Sequence, residues 1–305
     1  MPIIEHDPWR EQYFVNVLCP PDIVIPTDDT DSYRLYPEFR WIYNKLLICE
    51  TQGIYHAPAG IAPDSYPVFS KPIVNLRGMG ADSHRLDSPA DYHQLCRPGH
   101  FWMEYFTGRH VSTDAAVVEG DLVWCRHTIG QAAGQGTFDH WFVDPAPDAI
   151  LEKYCAGWLK KFLSGFTGMI NIETIGGRII EAQLRFADQW PDLYGTGWIE
   201  AMVNLYCRKQ WLYADADRKA GYSVVLFGPS GRRYLHPPTP LLQQWHERPS
   251  ISSLQITFHP DVNPDWHAMP PGGFRLAVIN CWDLAAGLAL RDEAASFFGV
   301  PVLAR

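Results

Sequence analysis

The sequence predicts an α+β fold of two or three lobes, and three observations carry that expectation. A chain of 305 residues, 47% hydrophobic and 19% charged, buries a substantial core and exceeds one minimal domain. Two segments, 37–53 and 148–164, space their apolar residues at helical intervals. Strand-like stretches with turn residues between them fill 101–129 and 169–185.

Taken in order, the first 40 residues hold apolar stretches at Tyr13–Cys19 and Asp22–Pro26, then the acidic run Asp28-Asp29-Thr30-Asp31; two short strands and a loop fit. From Pro37, the spacing of Phe39, Ile42, Leu46 and Cys49 predicts a helix, and Gly53 stands where it stops. Tyr66–Ser70 reads as a strand entering a loop that contains Arg77, Gly78 and Gly80. HFWMEYF, HVSTDAAVV and DLVWCRHTI read as antiparallel strands, divided at Thr107-Gly108 and Glu119-Gly120-Asp121. Residues 148–164 predict an amphipathic helix with Ile150, Leu151, Tyr154, Trp158, Phe162 and Leu163 on one side. A strand, a glycine turn and a returning strand follow at MINIET, IGG and RIIEAQLR. The last ~60 residues are richer in proline and read as loops around short strands. Trp102, Trp124, Trp141, Trp158, Trp190, Trp198 and Trp211 read as packing residues rather than a base-stacking platform.

Charge and cysteine usage exclude several functions. A net charge of −9 and a pI near 5.7 argue against a nucleic-acid backbone as partner, because that affinity rests on clustered Lys and Arg. No apolar run reaches the ~20 residues of a membrane span, and the start MPIIEHDPWREQ is charged where a signal peptide is apolar. A soluble, cytoplasmic protein is expected. The seven cysteines are scattered without a Cys-x-x-Cys pair and read as reduced buried thiols. No His-x-x-x-His pair and no His/Cys cluster marks a zinc site. Gly228-Pro229-Ser230-Gly231 lacks the Gly-x-Ser-x-Gly nucleophile elbow, so Ser230 reads as a turn residue.

Two groups of residues carry chemistry. Side chains alternate across a strand, so Asn171 and Glu173 share one face, and Glu181, Gln183 and Arg185 share one face of the returning strand. With the turn centred on Gly176, Asn171 lies opposite Glu181. Oxygen ligands gathered in this way suit magnesium, and Arg185 beside them suits a transferring phosphoryl group. Taken alone, the hairpin also fits a solvated strand face with ordinary polar residues. In the second group Lys71 follows the strand YPVFS and precedes a loop with two glycines, where a point charge and open backbone N–H groups suit phosphate. That pattern alone is common.

Order and spacing add a resemblance, from about Trp41 to Gly228, to the ATP-grasp superfamily, particularly its biotin-carboxylase-like and purine-biosynthesis carboxylase-like branch. YNKLLICETQGIYHAPAG resembles the family's helix with a nucleotide-binding lysine, which implies that role for Lys45. YPVFSKPIVNLRGMG resembles its strand, Lys-Pro and flexible glycine loop, so Lys71 would contact the phosphates and Arg77, Gly78 and Gly80 would cover them. WMEYFTGRHVSTDAAVVEGDLVW is similar to the hinge, where Glu104, Tyr105 and Phe106 would line adenine and His110 the ribose. GMINIETIGGRIIEAQLR is similar to the metal hairpin, whose last strand usually reads Glu-x-Asn-x-Arg. Here Gln183 stands for the usual Asn, and hairpin geometry offers Asn171 where an acidic ligand is usual, with Glu173 as the carboxylate under another register. KAGYSVVLFGPSG resembles the late strand that carries an arginine in biotin carboxylase, and Phe227 stands there, which disfavours carboxyphosphate chemistry on biotin.

The resemblance implies two α+β lobes clasping ATP. A shortened N-terminal lobe would span 1–40, small-lobe elements and the glycine loop 41–100, the core with hinge and metal hairpin 101–230, and a loop-rich extension 231–305. It implies an ATP- and Mg2+-dependent carboxylate–amine or carboxylate–thiol ligase that proceeds through an acyl phosphate and releases ADP and phosphate. Glu181 and Arg185 would be catalytic, and Asn171, Glu173, Glu181 and Gln183 would hold the metal. The partners would be ATP and a small carboxylate with an amine or other nucleophile. A regulatory nucleotide-binding protein with a weakened metal site, an ATP-grasp kinase and a structural module without nucleotide remain alternatives. The substrate and the oligomeric state stay open, a homodimer included.

Overall fold

The computed structural model describes residues 3–267 and 269–302. Near the N-terminus, β1 (Ile3–Ile4) pairs in parallel with β2 (Ile25–Pro26). The acidic run that follows is a helix start rather than a loop. The Asp28 carboxylate accepts from the Asp31 N–H at 2.8 Å and so caps α1 (Asp29–Leu35). The helix expected from Pro37 is divided in two. A 3-10 turn at Arg40–Tyr43 leads to Asn44, whose extended backbone and side-chain oxygen, accepting from Leu46 and Leu47 N–H, start α2 (Lys45–Gln52) afresh. Gly53 ends α2 at a φ of 66°, as its position predicts.

A small antiparallel sheet is built from β3 (His56–Pro58), β4 (Val68–Pro72), β5 (His84–Leu86) and β6 (His100–Glu104), in the order β3-β6-β4-β5, with α3 (Pro89–Leu95) between β5 and β6. The chain then enters an eight-stranded sheet through β7 (His110–Val118), β8 (Asp121–Gly134) and β9 (Thr137–Asp144). After α4 (Ala149–Phe162) come β10 (Gly168–Ile175) and β11 (Arg178–Gln183) on one flank. After α5 (Trp198–Arg208), the other flank is made by β12 (Gly221–Gly228), α6 (Thr239–His246), β13 (Ile251–Ile256), β14 (Phe274–Cys281) and α7 (Leu284–Phe298). The full order is β11-β10-β7-β8-β9-β12-β14-β13. The loop-rich reading of 231–305 is thus corrected: β13 and β14 extend the large sheet, and α7 packs on it through Leu290, Ala294 and Phe298. Prolines cluster before residue 272, and the proline-free stretch 272–300 supplies both β14 and α7.

Opposite faces of the large sheet carry separate cores. Trp124, Trp141, Trp190 and Trp198 fill one with Phe186 and Met202. Cys155, Trp158 and Leu159 of α4 fill the other, over β7, β8 and β10. Ile150, expected on the apolar side of α4, is 86% exposed. All seven cysteines are unpaired thiols. No helix among the described residues is long and apolar enough to cross a membrane.

The hairpin register differs from the expected one. Ile175 faces Arg178 and Thr174 faces Ile179, but a bulge then shifts the pairing so that Glu173 faces Glu181 and Asn171 faces Gln183. The turn is the two-residue Gly176-Gly177, with φ of 56° and 79°, which suits the twist of adjoining strands. The two-residue turn and the bulge each move the pairing by one, and together they place the two glutamates, not Asn171 and Glu181, opposite each other.

Gly176 also lies against the segment joining β6 to β7. Its N–H donates to Arg109 O at 3.1 Å, and a Cβ added there would stand 2.5 Å from Thr107 O, whereas one on Gly177 would meet nothing within 4 Å. Gly176→Ala should therefore cost about 2–3 kcal/mol from strain and the clash, and Gly177→Ala about 1 kcal/mol from backbone strain alone. Urea denaturation of the two variants measures the difference, and equal losses would remove the contact with Thr107 from the account.

Candidate functional site

Two lysines converge on the edge of the hairpin. Lys45 opens α2, where its N–H donates to Ile73 O at 2.9 Å, and its Nζ lies 3.1 Å from Glu181 Oε1. Lys71, on β4 of the small sheet, donates from Nζ to Ile180 O at 2.8 Å. Both are buried. Gln52 at the end of α2 clamps Ile179 through both its N–H and its carbonyl, at 2.9 and 2.8 Å, so the helix lies along β11 and covers its free edge. Burial pushes the Lys71 ammonium down to about 8, against the pull of Glu181.

The facing carboxylates are held differently. Glu173 Oε2 lies 3.0 Å from His110 Nε2. Burial works to raise the Glu173 pKa, but His110, Arg185 and Lys71 hold it below the usual carboxylate range. Glu181 accepts from Gln183 Nε2 at 3.2 Å and pairs with Lys45. Asn171 is turned away from this exchange. Its amide donates to Ser112 Oγ at 2.8 Å and to Asp114 Oδ1 at 2.6 Å, in a buried network that also takes the Ala187 N–H at 2.8 Å and the Tyr194 hydroxyl at 2.6 Å onto Asp114. His110, expected at the ribose, packs edge-on against Phe138 and Trp141, at 5.3 and 5.5 Å, with its ring nitrogen on Glu173.

Arg185 is engaged by a residue that sequence reasoning did not select. Asp29, at the start of α1, accepts from its Nε and Nη2 at 2.9 and 3.2 Å, a fork-to-fork pair. Burial raises Asp29 to about 6 even beside this guanidinium. Burial opposes the Arg185 charge, but Asp29 and Asp188 keep its pKa above the ordinary arginine value. Farther along the cleft, Arg10 bonds Asp188 and donates to Asp7 at 2.7 Å. Arg275 on β14, at the position facing Phe227, has only long contacts, 3.4 Å to Gln189 Oε1 and 4.0 Å to Met79 Sδ. Among the described residues no carboxylate lies within ion-pair distance of it, the Nε atoms of both Arg10 and Arg275 lack hydrogen-bond partners, and burial lowers Arg275 to about 10. Asp29, Arg10 and Arg275 approach only through the fold, at sequence separations that carry no pattern.

The glycine loop and the hinge flank the cleft. Gly78, Met79 and Gly80 are all left-handed, with φ of 66°, 61° and 61°, and the loop is tied by Asn75 Nδ2 to Gly78 O at 2.9 Å and by Arg77 N–H to Asn75 Oδ1 at 3.0 Å. The Arg77 side chain is exposed and stays apart from the lysine and glutamate cluster. Glu104, exposed, donates its N–H to Tyr55 O at 2.9 Å; Tyr105 carries Arg85 over its ring at 4.7 Å, and Phe106 packs with Phe101 and Met103. The structure thus brings Lys45, Lys71, His110, Glu173, Glu181 and Gln183 together at one strand pair, with Asn171 and Arg185 beside them in supporting bonds.

This geometry has counterparts among solved structures. An L-amino acid ligase from Bacillus licheniformis superposes with a TM-score of 0.64 at 13% identity, over 94% of this chain and 82% of that one. A phosphoribosylamine–glycine ligase from Thermotoga maritima gives 0.61 at 14% identity, over 94% and 85%. A carboxyaminoimidazole ribonucleotide synthase from Aspergillus clavatus, complexed with ATP, gives 0.59 at 12% identity, over 88% and 76%. No family model matches the sequence, and no curated protein matches it. The chain has the ATP-grasp fold.

A triphosphate bound against Lys71 would acquire a pH dependence from that lysine. A phosphate anion favours the charged ammonium, so its pKa rises from about 8 when nucleotide binds. Below pH 8 the lysine is charged in both states and contributes fully. Above it a proton must be taken up on binding, and ATP affinity should fall by up to about tenfold per pH unit until the bound-state pKa is passed. Titration calorimetry between pH 7 and 10 should show this slope in the native chain and lose it in Lys71→Arg, whose charge persists.

Proposed function

We propose that the chain is an ATP-dependent ligase that joins a small carboxylic acid to an amine through an acyl phosphate. The observation that carries this reading is the convergence of Lys45, Lys71, Glu173 and Glu181 on one hairpin of the ATP-grasp fold. Two opposed carboxylates with the neighbouring Gln183 amide form an oxygen donor set that suits magnesium. Glu173 supplies the carboxylate that Asn171 lacks, so the reading of a weakened metal site loses its main support. Bound there, magnesium would neutralise charge on the triphosphate.

The residues of the chain divide the remaining work. Lys71 and Lys45 bind phosphate oxygens, and Lys45 leaves Glu181 free for the metal as it does so. His110 orients Glu173, and Asp29 orients Arg185 toward the charge that develops on the transferring phosphoryl group. A substrate carboxylate oxygen attacks the γ-phosphorus while the bridging P–O bond to ADP breaks. The amine nitrogen then attacks the acyl carbon, phosphate leaves with one former carboxylate oxygen, and the amine's proton passes to solvent. Positioning and charge neutralisation suffice for such transfers without a protein nucleophile. Arg275, an uncompensated guanidinium beside the glycine loop, anchors the acid.

Three measurements test this. With heavy-oxygen-labelled carboxylic acids, label should appear in the released phosphate only when ADP forms; ADP release without an amine, ending in a stable phosphorylated product, would establish a kinase instead. Glu181→Gln should lower ADP release on the order of a hundredfold, with a far smaller change in ATP affinity. Arg275→Ala should raise the KM for the acid by roughly ten- to a hundredfold, the loss of one charge-assisted hydrogen bond, and an unchanged KM would remove Arg275 from the acid site.

A further inference from the structure

We infer that Cys125, His127 and Glu152 form a zinc site on the face of the large sheet turned away from the nucleotide cleft. Cys125 and His127 stand two apart on β8 and so share one face, and Glu152 descends on them from the first turn of α4. The opposite face at this level carries Asp114 and Arg126, paired across β7 and β8, so the sheet separates the cluster from the metal hairpin. The Cys125 sulfur, a His127 ring nitrogen and a Glu152 oxygen all lie within 4.8 Å of one another.

The histidine is what points to a ligand. The residue is 2% exposed, its Nδ1 is fixed by Thr113 Oγ1 at 2.9 Å, and its Nε2 is buried without a hydrogen-bond partner. Glu152 Oε1 faces it from 3.6 Å, a long separation for a hydrogen bond. An orphaned ring nitrogen in a core is costly. Thr113 fixes the far nitrogen and so orients the ring, the part that an outer partner plays for a metal-bound imidazole.

The separations suit the ion. Zinc takes sulfur at about 2.3 Å and nitrogen or oxygen at about 2.0–2.2 Å in a tetrahedron, whose edges are then roughly 3.3–3.7 Å. The Nε2 to Oε1 distance already lies in that range, and the Glu152 side chain, 30% exposed, has freedom to close the rest. One soft, one borderline and one hard donor select zinc over magnesium or calcium. A surface depression of 330 Å³ lined by Arg109, His127, Asp144 and Asp148 adjoins the cluster. On binding, the Cys125 thiol releases its proton to solvent and the thiolate takes the metal. The ion would pin the first turn of α4 to β8 behind the active hairpin.

Cobalt substitution tests the site without nucleotide, so its result is independent of ligase activity. Protein purified without an affinity tag should carry one zinc per chain, and the cobalt form should show a thiolate-to-metal charge-transfer band with the intense visible bands of a tetrahedral ion. Cys125→Ser should abolish the charge-transfer band, and Cys155→Ser, on the next turn of α4, should keep it. Glu152→Gln, on a partly exposed turn and safe for folding, should weaken zinc affinity at least tenfold, whereas Glu181→Gln should leave it unchanged. Absence of the charge-transfer band in native protein, its survival in Cys125→Ser, or unaltered affinity in Glu152→Gln would each overturn the assignment.

Discussion

A single buried carboxylate sets the geometry of the cleft. Asp114 sits near the middle of β7, and burial raises its pKa to about 6, so its presence in a core is tolerable only because every approach to it is a donor. Those donors come from three places: Asn171 on β10, the Ala187 N–H just past β11, and Tyr194 beyond. The central strand therefore fixes both arms of the hairpin at once. Apolar contacts alone tolerate a shift along a strand, whereas a shift here strands a buried anion.

The second constraint is electrostatic. Two ammonium groups and two carboxylates share a small volume, and no member is stable there by itself. Lys71 answers by donating to a backbone carbonyl, Lys45 by pairing with Glu181, and Glu173 by leaning on His110. Each charge of the cluster thus has a partner of its own.

Much of this was legible in the chain. Alternation on the returning strand placed Glu181 and Gln183 together, and the lysines lay in recognisable local settings after a strand and at a helix start. The register was not legible, because a two-residue turn and a bulge, neither marked in the sequence, each shift the pairing by one and together exchange Asn171 for Glu173 opposite Glu181. Asn44 broke an apolar period that reads as continuous across 37–53, since capping is a local competition that periodicity does not see. Asp29, Arg10 and Arg275 reach the cleft through contacts spanning 86 to 196 residues, where pattern carries no information. The same holds for Cys125 and His127, whose third neighbour lies on a later helix.

The glycine turn has a mechanical consequence. The segment from Tyr105 to Arg109 is the strap between the end of β6 in the small sheet and β7 in the large one, and the tip of the hairpin rests on it through Gly176. With no side chain between them, strap and tip are in rigid contact, like two teeth of a gear. A displacement of the strap would therefore press on the turn three residues from Glu173, so the join between the two sheets and the carboxylate end of the hairpin form one mechanical unit.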